Sequence, residues 1–250
     1  IWEQSRMNWV VAFAQRARNG DEDSLRRLNS WLSDWIETNP PYLGPNWKCG
    51  QEASIRVMHL CSAALILGQE RDTLSGLQEL IRLHLRRIAP TIHYAMAQNN
   101  NHGISEAVAL YSIGYFLWKN TKNLKFYYLH YKGLKLLENR VKALIMNDGS
   151  FSQYSTVYHR MMLDLISVAE ILRKKWCLKP FSKLLYKKVD LAITFMSELT
   201  DQFSGNSPNI GGNDGTYLFN YDQREYRDFR PSISLASATF DIPIKSNLIQ

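Results

Sequence analysis

Gln98-Asn99-Asn100-Asn101-His102-Gly103 and Asp148-Gly149-Ser150-Phe151-Ser152-Gln153-Tyr154 enclose two helical patterns, Ser105 to Trp118 and Leu124 to Met146. The two enclosing segments are rich in Asn, Gly, Ser and aromatic residues. Upstream, a similar segment reads Gly44-Pro45-Asn46-Trp47-Lys48-Cys49-Gly50, and downstream another reads Ser207-Pro208-Asn209-Ile210-Gly211-Gly212-Asn213-Asp214-Gly215. From Trp47 through Asn101 and Tyr154 to Ile210 the steps are 54, 53 and 56 residues. A helix of about 20 residues spans about 30 Å, so each step holds one helical hairpin and the chain returns to the same end each time. The polar loops are therefore expected on one rim of a stack or ring of hairpins. Plain turns such as Asn19-Gly20-Asp21 and Gly68-Gln69-Glu70 belong on the other.

The rest of the chain keeps this character. Apolar residues at helical spacing predict helices over Trp2–Arg18, Asp23–Thr38, Gln51–Leu67, Asp72–Ile88, Ser155–Arg173, Ser182–Thr200 and Ser232–Phe240. Strand alternation is almost absent. The expected class is all-α, an incomplete α/α toroid of antiparallel hairpins over residues 1–240, with 241–250 opening a linker to a further domain. Both ends read as boundaries of a fragment: Ile1 enters a helical pattern directly, and no closing element follows Asp241.

Composition narrows the class without naming a function. A hydrophobic content of 45% suits a real core. No stretch reaches the roughly 18 apolar residues of a membrane span. Cys49, Cys61 and Cys177 lack metal-ligand spacing and read as inert thiols. The net charge of +7 is spread along helices rather than gathered in a nucleic-acid arm. There is no HExxH pattern, no phosphate loop and no dinucleotide fingerprint, so neither metal nor cofactor is expected. His59, His84, His93 and His130 lie within helical patterns and read as packing or surface residues.

The chemistry is expected in the polar loops, since loops on a rigid scaffold carry function. Three asparagines before His102 exceed what helix capping needs. Asn101 offers amide donors and His102 a ring that titrates near neutrality. Tyr154 and Tyr158 are four apart and can share a helix face. His159 points away from Tyr158 and is read as structural. Trp47 is a candidate platform for a sugar ring. Glu106, one turn after His102, either orients that histidine or complements the helix dipole.

Asn100-Asn101-His102-Gly103 with Ser105-Glu106-Ala107, and Asp148-Gly149-Ser150 with Ser155 and Tyr158-His159-Arg160, resemble heparinase II/III-like polysaccharide lyases. Trp47-Lys48-Cys49-Gly50-Gln51-Glu52 with Arg56 looks like the first rim loop of that family, and Asn209 to Gly215 like a late one. The resemblance runs from Trp2 to about Pro231. It implies a helical toroid followed by a β-sandwich, with a cleft between them that performs β-elimination on uronate-containing glycans such as heparan sulfate or alginate. By this similarity Asn101, His102 and Tyr158 correspond to catalytic residues. A further histidine comes from the β-sandwich, which is absent from this chain. The resemblance also favours a periplasmic or secreted location.

Such a reaction removes the proton α to a carboxylate and expels the 4-linked sugar. Asn101, with a protonated His102, would stabilise the charge that builds on the carboxylate. Tyr158 would serve as base and then acid, alone or through His102. Arg160 would favour the phenolate or bind a substrate carboxylate through its planar fork. Asn100, Asn213 and Trp47 complete the expected substrate contacts. Three rivals stand beside this reading. One is a glycan-binding or biosynthesis-linked protein without turnover, and another is a helical scaffold for a protein partner. The third is a glycoside hydrolase using two of Glu52, Glu106 and Asp214.

Overall fold

A computed structural model describes residues 2–70, 72–219 and 224–244. The described chain is all-α: α1 (Trp2–Ser5), α2 (Asn8–Arg18), α3 (Glu22–Thr38), α4 (Gly50–Ile66), α5 (Ser75–Ile88), α6 (Ile92–Ala97), α7 (Asn101–Thr121), α8 (Leu124–Leu144), α9 (Thr156–Lys175), α10 (Lys183–Leu199) and α11 (Arg230–Phe240). A 3-10 turn, Pro45–Trp47, precedes α4. Among the described residues extended pairing is limited to two isolated bridges, Ile145 with Phe151 and Asn206 with Asp228. No described helix is long and apolar enough to cross a membrane. Residues 245–250 of the expected linker lie outside the described residues.

The hairpins expected from the loop spacing are present. Side-chain contacts run between α2 and α3 (Trp9 and Phe13 with Trp31), with Ser5 of α1 meeting Trp35 further along α3, and between α4 and α5 (Arg56 with His84). They do so again between α7 and α8 (Tyr111 with His130, Trp118 with Tyr127), and between α9 and α10 (His159 with Ala192, Glu170 with Tyr186). The α7–α8 approach is very close. A Cβ on Gly114 would stand 2.4 Å from the His130 backbone nitrogen, so only glycine fits there. His130 fills the remaining space and donates from Nδ1 to the Tyr111 carbonyl at 2.8 Å.

The chain forms two compact units, residues 1–95 with 109–134 and residues 96–108 with 135–250, and α7 and α8 contribute to both. The core of the first unit gathers Met7, Val10, Ala14, Leu28, Trp35, Trp47, Leu60, Ala63 and Leu80. Through it runs a polar seam from α4. Glu52, Arg56 and His59 recur one turn apart and are all buried. Glu52 takes a fork from Arg6 at 2.8 and 2.9 Å, Arg56 donates to the Ser5 carbonyl, and His59 Nδ1 donates to the Arg6 carbonyl. These bonds claim backbone carbonyls that a continuous helix would use itself. The helix expected over Trp2–Arg18 accordingly breaks at Met7, whose φ is 63°.

In the second unit α9 is enclosed on nearly all sides, with α10 and α11 packed against it. Its N-terminus is capped by Ser155, whose Oγ accepts from the Tyr158 backbone nitrogen at 3.1 Å. Ser182 caps α10 in the same way. His159 is buried, donates from Nε2 to the Ala192 carbonyl at 2.9 Å and stacks on Phe195. Burial holds its ring neutral, with a pKa lowered to about 4.

Candidate functional site

Three of the four polar loops belong to the second unit, and hydrogen bonds tie them to one another. The Asn101 backbone nitrogen donates to Gln153 Oε1 at 2.8 Å, joining the Asn-rich segment to the segment before α9. Ser155 Oγ donates to the Gly212 carbonyl at 2.6 Å, and Thr156 Oγ1 to the Pro208 carbonyl at 2.8 Å, joining α9 to the late loop. Gly211 makes this junction possible. At a φ of 70° its missing Cβ would lie 2.2 Å from the Tyr154 carbonyl oxygen.

The three consecutive asparagines have three separate tasks. Asn99 adopts a φ of 49° and its Oδ1 accepts from Arg140 of α8 at 2.7 Å. Asn100 is the N-cap of α7, its Oδ1 accepting from the His102 backbone nitrogen at 2.9 Å. Asn101 is therefore the first residue of the helix rather than part of the loop before it. Its side chain is 3% exposed and donates from Nδ2 to Met161 Sδ at 3.5 Å. Met161 lies three residues after Tyr158 on α9, so Asn101 is anchored on the helix face that carries that tyrosine. His102 occupies the first turn of α7 and is half-buried. Glu106, one turn further, is buried at 4% exposure.

Tyr158 is half-buried, and its hydroxyl donates to Asp214 Oδ2 at 3.2 Å. Asp214 is held in turn, accepting at Oδ1 from the Thr216 backbone nitrogen at 3.0 Å. Asn213 braces the same turn. It accepts from the Gly215 nitrogen at 3.1 Å and from the Tyr226 hydroxyl at 2.9 Å, and donates to Asn209 at 2.8 Å. Burial raises the Tyr226 phenol above its ordinary range, opposed by Arg160 and reinforced by Asp214. By sequence Asp214 is a carboxylate of the late rim loop that also suits a hydrolase. The Asn213-Asp214-Gly215-Thr216 turn was legible, but no local signal pairs its acid with a tyrosine 56 residues away.

Two expected substrate contacts need correction. Arg160 is 1% exposed and its guanidinium is directed at groups of the protein. It donates to the Tyr226 carbonyl at 2.6 Å and the Thr216 carbonyl at 3.2 Å, beneath the rings of Tyr217, Tyr226 and Phe229 at 4.5 to 4.6 Å. The fork expected to take a substrate carboxylate instead fastens the late loop to α9. Trp47, in the first unit, is 2% exposed, so no sugar can stack on it. Its Nε1 donates to the Asn39 carbonyl at 3.0 Å, and its ring packs on Trp35, Tyr42 and His84. Arg56 completes that cluster, 4.7 Å from the Trp35 ring and 5.4 Å from that of Trp47. Burial, with Arg56 beside it, lowers the His84 pKa to about 3. Arg56 ties the first polar loop to α4 through the Asn46 carbonyl at 2.7 Å, as Arg160 ties the late loop to α9.

A family model described as the heparinase II/III N-terminus matches residues 1–200. The chain belongs to the heparinase II/III N-terminal family. The match covers the whole of α1–α10, and with them Asn101, His102, Tyr158 and Arg160; the late loop carrying Asn213 and Asp214 lies beyond it. No curated protein and no solved structure matches the chain. No group of three or more His, Cys, Asp or Glu with the arrangement of a metal site occurs among the described residues.

Proposed function

We propose that the loop cluster of the second unit is the helical-domain half of a polysaccharide lyase site acting on uronate-containing acidic glycans. The observation that carries this reading is the Tyr158–Asp214 contact at 3.2 Å, made on the α9 face to which Asn101 is also anchored. Membership of the heparinase II/III N-terminal family supports elimination as the reaction class. In β-elimination a base takes the proton from C5 and the carbanion is delocalised into the carboxylate. The C4–O bond then breaks with its electrons on oxygen, leaving a C4=C5 double bond. The departing oxygen needs a proton, and the Tyr158 hydroxyl supplies it. Asp214 orients that hydroxyl, and the Arg160 cage holds Asp214 through Thr216. The half-buried His102 hydrogen-bonds the carboxylate where charge develops, and the buried Asn101 amide positions that first turn of α7 against α9. A further histidine, expected from the family's C-terminal domain, would face Tyr158 from outside this chain. A periplasmic or secreted location belongs to the same reading.

The test incubates the full-length parent protein with heparan sulfate, hyaluronan, chondroitin and alginate. It follows the ultraviolet absorbance of the C4=C5 bond, with Tyr158→Phe in parallel. Absorbance that rises for one polymer and is lost in the variant is the expected result. New reducing ends without absorbance would mean hydrolysis, with Asp214 as a reacting carboxylate. Neither signal, with binding retained, would leave a glycan-binding protein.

A further inference from the structure

The helix α8 presents a face that nothing in the elimination site uses. Between Glu106 and Glu138 the sequence contains five lysines and no Asp or Glu. Within that acid-free span, α8 projects Leu124, Tyr128 and Tyr131 outward at 75%, 65% and 51% exposure. These residues fall at spacings of four and three and line one face. Lys125 and Lys132 flank the tyrosines at the same helical spacing. Lys122, at the turn before α8, lies with its ammonium 5.0 Å from the Trp118 ring. Two acids on neighbouring elements are engaged by other cations. Glu70 pairs with Lys119, and Glu79 pairs with Arg82 and Arg86. The face therefore sets exposed aromatic rings beside Lys122, Lys125 and Lys132.

We propose that this face, from Lys122 to Lys132, is a second binding surface for an anionic polysaccharide, separate from the elimination site. The inference rests on the reading of the chain as an acidic-glycan lyase domain. Tyrosine is the fitting side chain for such a ligand. Its ring covers the C–H face of a pyranose while its hydroxyl stays in water and bonds sugar hydroxyls. The lysines answer carboxylates or sulfates, and clustered cations on one face focus that attraction. Leu124 to Tyr131 spans about 10 Å along the helix, the length of a disaccharide. A polymer held there is retained near the protein between encounters with the site, which raises its effective concentration.

The test measures binding of a heparin octasaccharide to the chain by titration calorimetry at near-physiological salt, with dextran as the neutral control. Lys125→Glu with Lys132→Glu, and separately Tyr128→Ser with Tyr131→Ser, are expected to weaken the octasaccharide about tenfold each at an unchanged melting temperature. Lys125→Arg with Lys132→Arg is expected to keep the affinity. No octasaccharide binding, or affinities within about twofold across all variants, would overturn the proposal. So would loss of binding to phosphatidylserine vesicles in these variants while the octasaccharide is unaffected, which would assign the face to a membrane. The elimination reading stands or falls on its own readout: unsaturated product that persists in the face variants upholds the lyase while refuting this surface only if octasaccharide affinity is also unchanged.

Discussion

Replacing Arg160 separates a structural arginine from a substrate-binding one. In Arg160→Met two hydrogen bonds from a charged donor are lost, to the Tyr226 and Thr216 carbonyls. Bonds to charged groups contribute about 1.5 to 3 kcal/mol each, and the lower figure gives about 3 kcal/mol for the pair. The stacking on Tyr217, Tyr226 and Phe229 adds about 1 kcal/mol. Methionine recovers some packing volume but satisfies neither carbonyl. The expected cost is about 4 kcal/mol, which lowers the melting temperature by about 10 °C in a chain of this size. Circular dichroism melting of the variant and of Arg160→Lys measures it. Lysine keeps the charge but not the planar fork, so an intermediate loss is expected. Below the transition, the late loop should detach from α9 and turnover should fall with Tyr158 and Asp214 unaltered in sequence. An Arg160→Met protein with unchanged melting temperature and weakened glycan affinity would refute the cage and restore the carboxylate contact.

The buried histidines give a pH dependence whose sign is set by their lowered pKa values, about 4 for His159 and about 3 for His84. The unfolded chain binds their protons first, near pH 6.5, so their contribution is complete above that value and is lost as pH falls towards the folded-state values. Each group should cost about 2 kcal/mol between about pH 6.5 and pH 5, read by urea unfolding at the two pH values; a flat profile would contradict both burials. His159→Gln should remove its own share of that slope. Trp47→Ala should cost about 3 to 5 kcal/mol by emptying the space between Trp35 and His84. An unchanged melting curve with poorer sugar binding would return Trp47 to the role of platform.

How far the site was legible depends on whether its residues act along one segment or across several. The Asn-rich run and Tyr158-His159-Arg160 stood out because each concentrates polar groups at a helix start, where capping alone does not use them all. The run of asparagines resolved into a brace, a cap and a buried donor, since each amide meets a different partner: Arg140, the α7 backbone and Met161. The Tyr158–Asp214 pair and the Arg160 cage were not legible, because their partners lie 56 to 66 residues away along the chain.

Periodicity and loop spacing determined the all-α class and the hairpin order, since a helix is defined by contacts within one turn and its apolar stripe repeats in the sequence itself. They also marked which connections would carry polar groups. Burial was decided by the tertiary structure alone. Trp47 and Arg160 occupy loop and helix-start positions whose composition suits exposure. Each is nevertheless enclosed by rings brought in from distant segments, because a buried guanidinium or indole N–H is stable only where the fold supplies carbonyls to receive it. The same requirement broke the first helix at Met7, where α4 draws on the carbonyls of Ser5 and Arg6.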